Sequence, residues 1–370
     1  MWSPDRELNV AVVGATGMVG QEMFRVLEQR KFPVAKLKAL ASERSAGTQV
    51  AWNGSSVPVE ALDERSFDDI AVALFSAGAG ASRTYAPIAA ASGALVIDNS
   101  SAWRLVDGVP LVVPEVNADD LRAGDGIIAN PNCCTIPLTV VLEALRQAAG
   151  LRRVVVATYQ SASGAGKALV EELEEQTRAV AAGQAPPVRE YPHQLAMNVV
   201  PGGWTMEDEG WNEEEVKIVN ETRKILHAPD LPVVATCVRV PVPVGHAEAV
   251  FVETERELGV DEARAVLRAA PGVAVMDGPG EQDYPTPAGV AGTDDVYVGR
   301  VRRDPTTRHG LVLWVVSDNL RKGAALNAVQ IAERALELGL LDVRLEKGRR
   351  PAPPDPLAGE GGRLREVHHA

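Results

Sequence analysis

The stretch Leu8–Phe32, "LNVAVVGATGMVGQEMFRVLEQRKF", constrains the fold of this chain most. The run LNVAVVGA reads as a strand buried on both faces. It passes through a glycine-punctuated turn straight into a segment where Met18, Val19, Met23, Val26 and Leu27 form a stripe with helical spacing. The alternation continues. AKLKALAS and AVALFSAG read as strands, ASRTYAPIAAASG as a small-residue helix and ALVIDNS as another strand. Short apolar strands separated by helices call for a parallel sheet covered on both faces. The expected class is α/β, opening with a Rossmann-like parallel-sheet domain.

The first turn carries Gly14, Gly17 and Gly20 in the spacing G-x-x-G-x-x-G. Glycines there let the backbone approach a pyrophosphate, and the helix start offers it free N–H groups. A plain tight turn is the alternative, but the position directly after the first strand favours a dinucleotide. At the end of the second strand an acid would select NAD and an arginine would accommodate a 2′-phosphate. The chain reads ASERSAG there. Ser42, Arg44 and Ser45 favour NADP(H), while Glu43 keeps NAD open.

The pattern changes near Asn130. After the helical run TIPLTVVLEALRQAAG come RRVVVATYQSASG, VVATCVRVPVPVG, AEAVFVETE and GLVLWVVSDN, which alternate more strongly. They predict an α+β domain with a mixed or antiparallel sheet and one exposed face. Helices are expected around 167–182 and 212–226. The amphipathic RKGAALNAVQIAERALELG should pack back on the first domain. The predicted organisation is therefore a cofactor domain over 1–132, completed by a helix at about 320–342, and a catalytic and dimerisation domain over 133–319. A Pro/Gly-rich, charged tail over 346–370 is expected to be disordered.

The net charge is −13. That argues against nucleic acid or an anionic membrane as partner, and anionic ligands would need recessed arginines and lysines. The apolar runs are of strand length, so no membrane span is expected. The N-terminus reads as a first strand and not as a signal peptide. Three cysteines, two of them adjacent, make no disulfide framework and fit a reducing cytoplasm.

Chemistry concentrates at ANPNCCTIP, where two cysteines stand between a polar turn and a helix start. A helix N-terminus favours a thiolate, and its free N–H groups suit an oxyanion hole. A buried structural cysteine is the plainer possibility. Spacing does not separate Cys133 from Cys134, whereas Cys237 lies mid-strand and reads as core. Of six histidines, His246 follows VRVPVPVG at the end of a rigid strand and is the best base for a thiol. Arg104 follows a parallel strand, where ligands gather in open α/β sheets. Arg239 interrupts an apolar strand, which points to an anionic ligand or to a structural ion pair. Glu214 and Lys217 share one helix face, which usually faces solvent. No metal site is expected.

Together GATGMVG, ASERSAG, VIDNSSAWR, VPLVVPEVN, NPNC, YQSASGAGK, EEEVK, TCVRVPVPVGHAEAV and SDNLRKGAALNAVQ, in this order over residues 8–340, resemble the aspartate-semialdehyde dehydrogenase family. The resemblance implies NADPH-dependent reductive dephosphorylation of 4-aspartyl phosphate to aspartate 4-semialdehyde, in lysine, threonine and methionine biosynthesis. It implies a homodimer or homotetramer in the cytoplasm. It assigns Cys133 as nucleophile through an acyl-thioester, His246 as acid/base and Gln160 as orienting group. Arg239, Glu214 and Asn132 fall at substrate positions, Arg104 and Lys217 at phosphate positions. Thr16, Gly17, Met18, Val19, Ser76, Gly78, Ser163, Gly164 and Asn319 join Gly14, Ser42, Arg44 and Ser45 at cofactor positions. Cys134 departs from the Ser or Thr usual after the nucleophile. An N-acetyl-gamma-glutamyl-phosphate reductase would carry NPGC where this chain has NPNC, and the SCTTN of glyceraldehyde-phosphate dehydrogenases is absent. A non-catalytic NADP-binding redox sensor would use Cys133 and Cys134 but gives Arg239 and Gln160 no task.

Overall fold

The computed structural model describes residues 7–121 and 126–341; the tail expectation for 346–370 lies outside them. Strands β1 (Leu8–Val13), β2 (Val34–Ala41), β3 (Gln49–Trp52), β4 (Ser55–Ala61), β5 (Val72–Phe75), β6 (Leu95–Asp98) and β7 (Ile127–Ala129) form one sheet of order β3-β4-β2-β1-β5-β6-β7. Every pairing is parallel except β3 with β4. From β1 the chain moves outward through β2 to β4, then returns to start β5 on the other side of β1. The reversal makes the gap between β1 and β5 the switch point where open α/β sheets bind ligands.

The buried runs separate by parity. Val10 and Val12 of β1 join a core built with Met23, Val26 and Leu27 of helix Met18–Gln29 and with Leu326, Val329 and Ile331 of helix Leu326–Glu337. Ala11 and Val13 face the opposite layer, with Ala86 and Ala89 of helix Gly78–Ala91. The C-terminal helix is thus part of the first sheet's covering, tied further by the Arg30–Glu333 pair at 2.7 Å.

The second sheet holds β8 (Arg153–Gln160), β9 (Val233–Arg239), β10 (His246–Glu253), β11 (Val273–Val275), β12 (Val296–Asp304) and β13 (Gly310–Ser317), in the order β11-β12-β13-β10-β8-β9. β8–β9 and β11–β12 are parallel and the rest antiparallel, so the sheet is mixed. One face packs on helices Thr135–Ala149 and Glu213–Ile225. On the other face Tyr159, Val234 and Phe251 remain exposed. Helix Glu213–Ile225 starts at a full capping box, Asn212 against Glu215. No described helix is long and apolar enough to cross a membrane.

Some elements were not anticipated. The hairpin β3–β4 turns at Asn53 (φ 48) and Gly54 (φ 71), a pair of left-handed residues that Asn-Gly suits. The dipeptide was the available signal. β12 escaped because VYVGRVRRD carries three arginines, which a half-exposed strand tolerates on its outward positions.

Candidate active site

Two turns at the switch point build one end of the site. Gly14 has φ +87, and a Cβ there would lie 2.3 Å from the Ser76 carbonyl oxygen, just beyond β5. A Cβ on Gly20 would lie 2.2 Å from the Gly14 carbonyl oxygen. The fold itself requires both glycines: one for a left-handed turn pressed on its neighbour, the other for seating the helix on that turn. Gly17 and Gly78 differ. A Cβ on Gly17 would meet only the Gly14 oxygen, at 3.3 Å, and one on Gly78 nothing within 4 Å. Thr16, Gly17, Met18 and Val19 therefore present an open helix start beside Ser76, with the free N–H groups a pyrophosphate needs. The turn Ser42–Ser45 lies alongside, because the Gly14 N–H donates to Leu40 O of β2 at 2.8 Å. Arg44 there is exposed. These residues fit a dinucleotide.

The chemical end lies on the second sheet. β10 pairs His246 with Ser317 of β13, and one step beyond the Ala247–Tyr159 pair His246 stands opposite Gln160 of β8. Gln160 in turn pairs with Arg239 of β9. Ser317, His246, Gln160 and Arg239 thus form one row across four strand ends, all buried and on one face. The next row down holds Val315, Glu248, Thr158 and Cys237. Both Glu248 oxygens are buried without a hydrogen-bond partner, and burial pushes this carboxyl well above the usual range.

The first sheet delivers the sulfur. β7 ends at Ala129, and the NPNCC turn leads into helix Thr135–Ala149. Asn132 Oδ1 accepts from the N–H of Cys134 at 2.8 Å and of Thr135 at 3.4 Å. That corrects one expectation: these two N–H groups are capped and do not make an oxyanion hole. Gly323 presses on the turn from the C-terminal side, and a Cβ there would lie 3.1 Å from Cys133 Cβ. Cys133 Sγ stands 3.2 Å from His246 Nε2. The neighbouring Cys134 thiol, then His246 and the Arg239 charge, hold the Cys133 thiol well below its usual range against the opposing effect of burial. Burial pushes Cys134 and Cys237 the other way. Position and electrostatics thus separate Cys133 from Cys134, which spacing alone did not.

The cations differ in what already holds them. Arg104 donates to Glu221 Oε1 at 3.0 Å, to Asn130 O at 3.0 Å and to Asn99 O at 2.7 Å. Lys217 meets Glu213 at 2.9 Å and Glu214 at 3.9 Å. Arg239 has no ion pair among the described residues. Its Nη1 donates to Ser161 O at 2.8 Å, its Nε is buried without a partner, and its guanidinium lies 4.8 Å over the Trp204 ring. The structural pair weighed for Arg239 therefore fails there, and its buried charge calls for an anion, whereas Arg104 proves to be held by Glu221. Glu214 is buried and accepts from Asn132 Nδ2 at 2.8 Å and Gln160 Nε2 at 3.3 Å, so it is not a solvated surface residue. Asn319 Oδ1 accepts from the hydroxyls of Ser161 and Ser163 and from the Gly245 N–H, so its amide works as a brace. One cleft of about 290 Å³ joins Val19 and Ser76 at the cradle to Cys133, Ser163, Gly164, Arg239 and Asn319. Sequence reasoning missed Ser161, Trp204, Glu221 and Gly323, which act only through neighbours far away in the chain.

Comparisons with known proteins agree with this layout. Residues 9–124 match the family model described as semialdehyde dehydrogenase, NAD binding domain, and residues 142–322 the one described as semialdehyde dehydrogenase, dimerisation domain. The aspartate-semialdehyde dehydrogenase of Aquifex aeolicus is 50% identical over 336 residues, covering 90% of this chain and 99% of its own. That of Bacillus subtilis is 48% identical over 344 residues, covering 91% and 99%. The crystal structure of aspartate semialdehyde dehydrogenase II from Vibrio cholerae, complexed with ASA, superposes with a TM-score of 0.87 at 45% identity, covering 90% of this chain and 99% of that one. A fold with a switch-point cradle, a cysteine–histidine pair at its mouth and relatives of this identity over nearly their whole length leads to one conclusion: the chain belongs to the aspartate-semialdehyde dehydrogenase family.

Proposed function

We propose that the protein reduces 4-aspartyl phosphate to L-aspartate 4-semialdehyde, releasing phosphate, through an acyl-thioester on Cys133. The observation that carries this reading is the 3.2 Å approach of Cys133 Sγ to His246 Nε2 in the same cleft as the unpaired Arg239. A thiol held toward its thiolate is the nucleophile such a displacement needs. The thiolate attacks the acyl carbon, the C–S bond forms, and the C–O bond to phosphate breaks with its electron pair. Arg239 seats the substrate carboxylate, and Glu214 its ammonium group. Gln160, one step along the row, orients the acyl group. Arg104 and Lys217 line the same cleft and would meet the departing phosphate while keeping their carboxylate partners. Gly14–Val19, Ser76 and Gly78 would hold a nicotinamide dinucleotide, which when bound would supply the hydride that reduces the thioester carbon. When the C–S bond breaks, sulfur leaves as the thiolate it was.

The cofactor is NADP(H) on this reading, supported by Arg44 and Ser45 beside the cradle and weighed against Glu43 of the same turn, the acid that would suit NAD. The assembly is a homodimer, supported by the exposed apolar residues Tyr159, Val234 and Phe251 on the second sheet and by the match to a dimerisation domain. Three unpaired cysteines support a reducing cytoplasm. The test is an assay of the purified protein with aspartate semialdehyde, NADP and phosphate, beside the N-acetyl-glutamate analogue. Turnover with the analogue and not with aspartate semialdehyde would reverse the assignment.

A further inference from the structure

Ser161 follows β8 directly and carries no assigned task, yet its groups reach the other parts of the site. Its backbone N–H donates to His246 Nδ1 at 3.0 Å. Its carbonyl oxygen accepts from Arg239 Nη1 at 2.8 Å. Its hydroxyl donates to Asn319 Oδ1 at 3.0 Å and lies 3.1 Å from both the Ser163 hydroxyl and His246 Nδ1. Asn319 Oδ1 also accepts from the N–H of Gly245, the residue before His246, at 2.8 Å. The Ser161 peptide therefore cannot turn without breaking contacts to two strands at once.

We infer that Ser161 is the positioning residue of this site, and that it holds the neutral His246 ring with its proton on Nε2, as a hydrogen-bond donor to Cys133 and not as the acceptor of its proton. The inference deepens the functional reading above and rests on Cys133 and His246 acting together. The physical reason is the fixed polarity of a backbone amide. An N–H can only donate, so the ring nitrogen that receives it bears no proton, and a neutral imidazole then carries its single proton on the other nitrogen. That nitrogen is the one 3.2 Å from Cys133 Sγ. Protonating both nitrogens would set the Nδ1–H against the Ser161 N–H.

The balance of the reaction agrees. Attack on the acyl phosphate makes the C–S bond and sends the C–O electron pair out on phosphate; it asks no proton of the ring. Once sulfur is acylated, the Nε2–H is free to donate to the acyl oxygen as negative charge develops there. The tautomer also bears on the trio of Cys133, Cys134 and His246, whose ligand atoms lie within 4.8 Å of one another. A protonated Nε2 would have to give up its proton before it could ligate a cation there.

Long-range ¹H–¹⁵N correlation on the full chain labelled at histidine reads the tautomer directly, with His246→Asn assigning the signal. At neutral pH we expect a protonated Nε2 and a bare Nδ1. A proton on Nδ1, in the neutral ring or in an imidazolium, overturns the inference. The measurement needs no turnover, so it fails or succeeds independently of the substrate assignment. Ser161→Ala provides a second arm. It keeps the N–H and loses the hydroxyl, so the nitrogen signature should persist, while kcat falls about three- to tenfold, the worth of a lost hydrogen bond, with KM for NADP unchanged. A normal kcat in this variant, or a switched tautomer, refutes the positioning role.

Discussion

Gly164 offers the sharpest test of the site, because a single methyl group there would touch both working side chains. A Cβ built on Gly164 lies 2.9 Å from Arg239 Nη1 and 3.1 Å from His246 Nε2 and Cε1. Ordinary contact between heavy atoms is about 3.5–4.0 Å, so each group must retreat by roughly 0.4–1 Å. Neither does so freely. The ring is pinned at Nδ1 by Ser161, and the guanidinium is held by the Ser161 carbonyl oxygen over Trp204. A retreat of that size takes Nε2 from 3.2 Å to about 4 Å from the sulfur, beyond hydrogen-bonding reach. Misplacement by about 1 Å costs on the order of 100-fold in rate, or about 2.7 kcal/mol of transition-state stabilisation. Gly164→Ala should therefore lower kcat/KM for aspartate semialdehyde about 100-fold. Its melting temperature should change little, since the residue sits at a cleft wall and no left-handed backbone is required. Steady-state kinetics beside a thermal melt would decide. A variant within threefold of the parent would mean that the row has slack, and the positional reasoning would fail.

Other perturbations address other parts. Cys133→Ala should abolish phosphate-dependent oxidation of aspartate semialdehyde while NADP still binds, measured by fluorescence titration; substantial turnover, with Cys134→Ala as the comparison, would move the nucleophile. The alkylation rate of Cys133 should hold its plateau to pH values well below the roughly 8.5 of a free thiol, and decline only as acid protonates the thiolate; a midpoint near 8.5 would contradict the hydrogen bonding around the sulfur. Arg44→Ala should weaken NADPH much more than NADH, and equal weakening would remove the 2′-phosphate argument. Burial pushes the folded-state pKa of Glu248 well above the unfolded value of about 4.3. The unfolded chain then releases this proton first as pH rises, and the stability present below pH ~4 is progressively lost above it. Glu248→Gln should accordingly gain melting temperature over the parent as pH rises from 4 to 8, and a constant difference across that range would show the carboxyl already ionised.

Much of this was legible in the chain and some was not, for physical reasons. The glycine turn and the small-residue helix after it are local, so Leu8–Phe32 and the strands after it declare themselves by period. The helix start at Thr135 is likewise local. What the linear pattern could not give is register. Arg239 in an apolar strand signals a cost to be met, but only the fold shows that it stands next to Gln160 and that no carboxylate among the described residues pairs with it. Glu214 and Lys217 look like an exposed pair until the capping box at Asn212 and the contact with Asn132 bury one of them. Arg104 looks like a free anion seat until Glu221, more than a hundred residues on, proves to hold it.

The row Ser317–His246–Gln160–Arg239 has a bearing on how such a chain can diverge. Because neighbouring residues on a strand face opposite ways, gaining or losing one residue within β8, β9, β10 or β13 would send a working side chain through to the far side of the sheet. Length changes are therefore barred from those strands and must collect in the segments joining them, such as the long passage between Ala181 and Glu213. Constancy of strand length, with freedom between strands, is the imprint this catalyst should leave on its descendants.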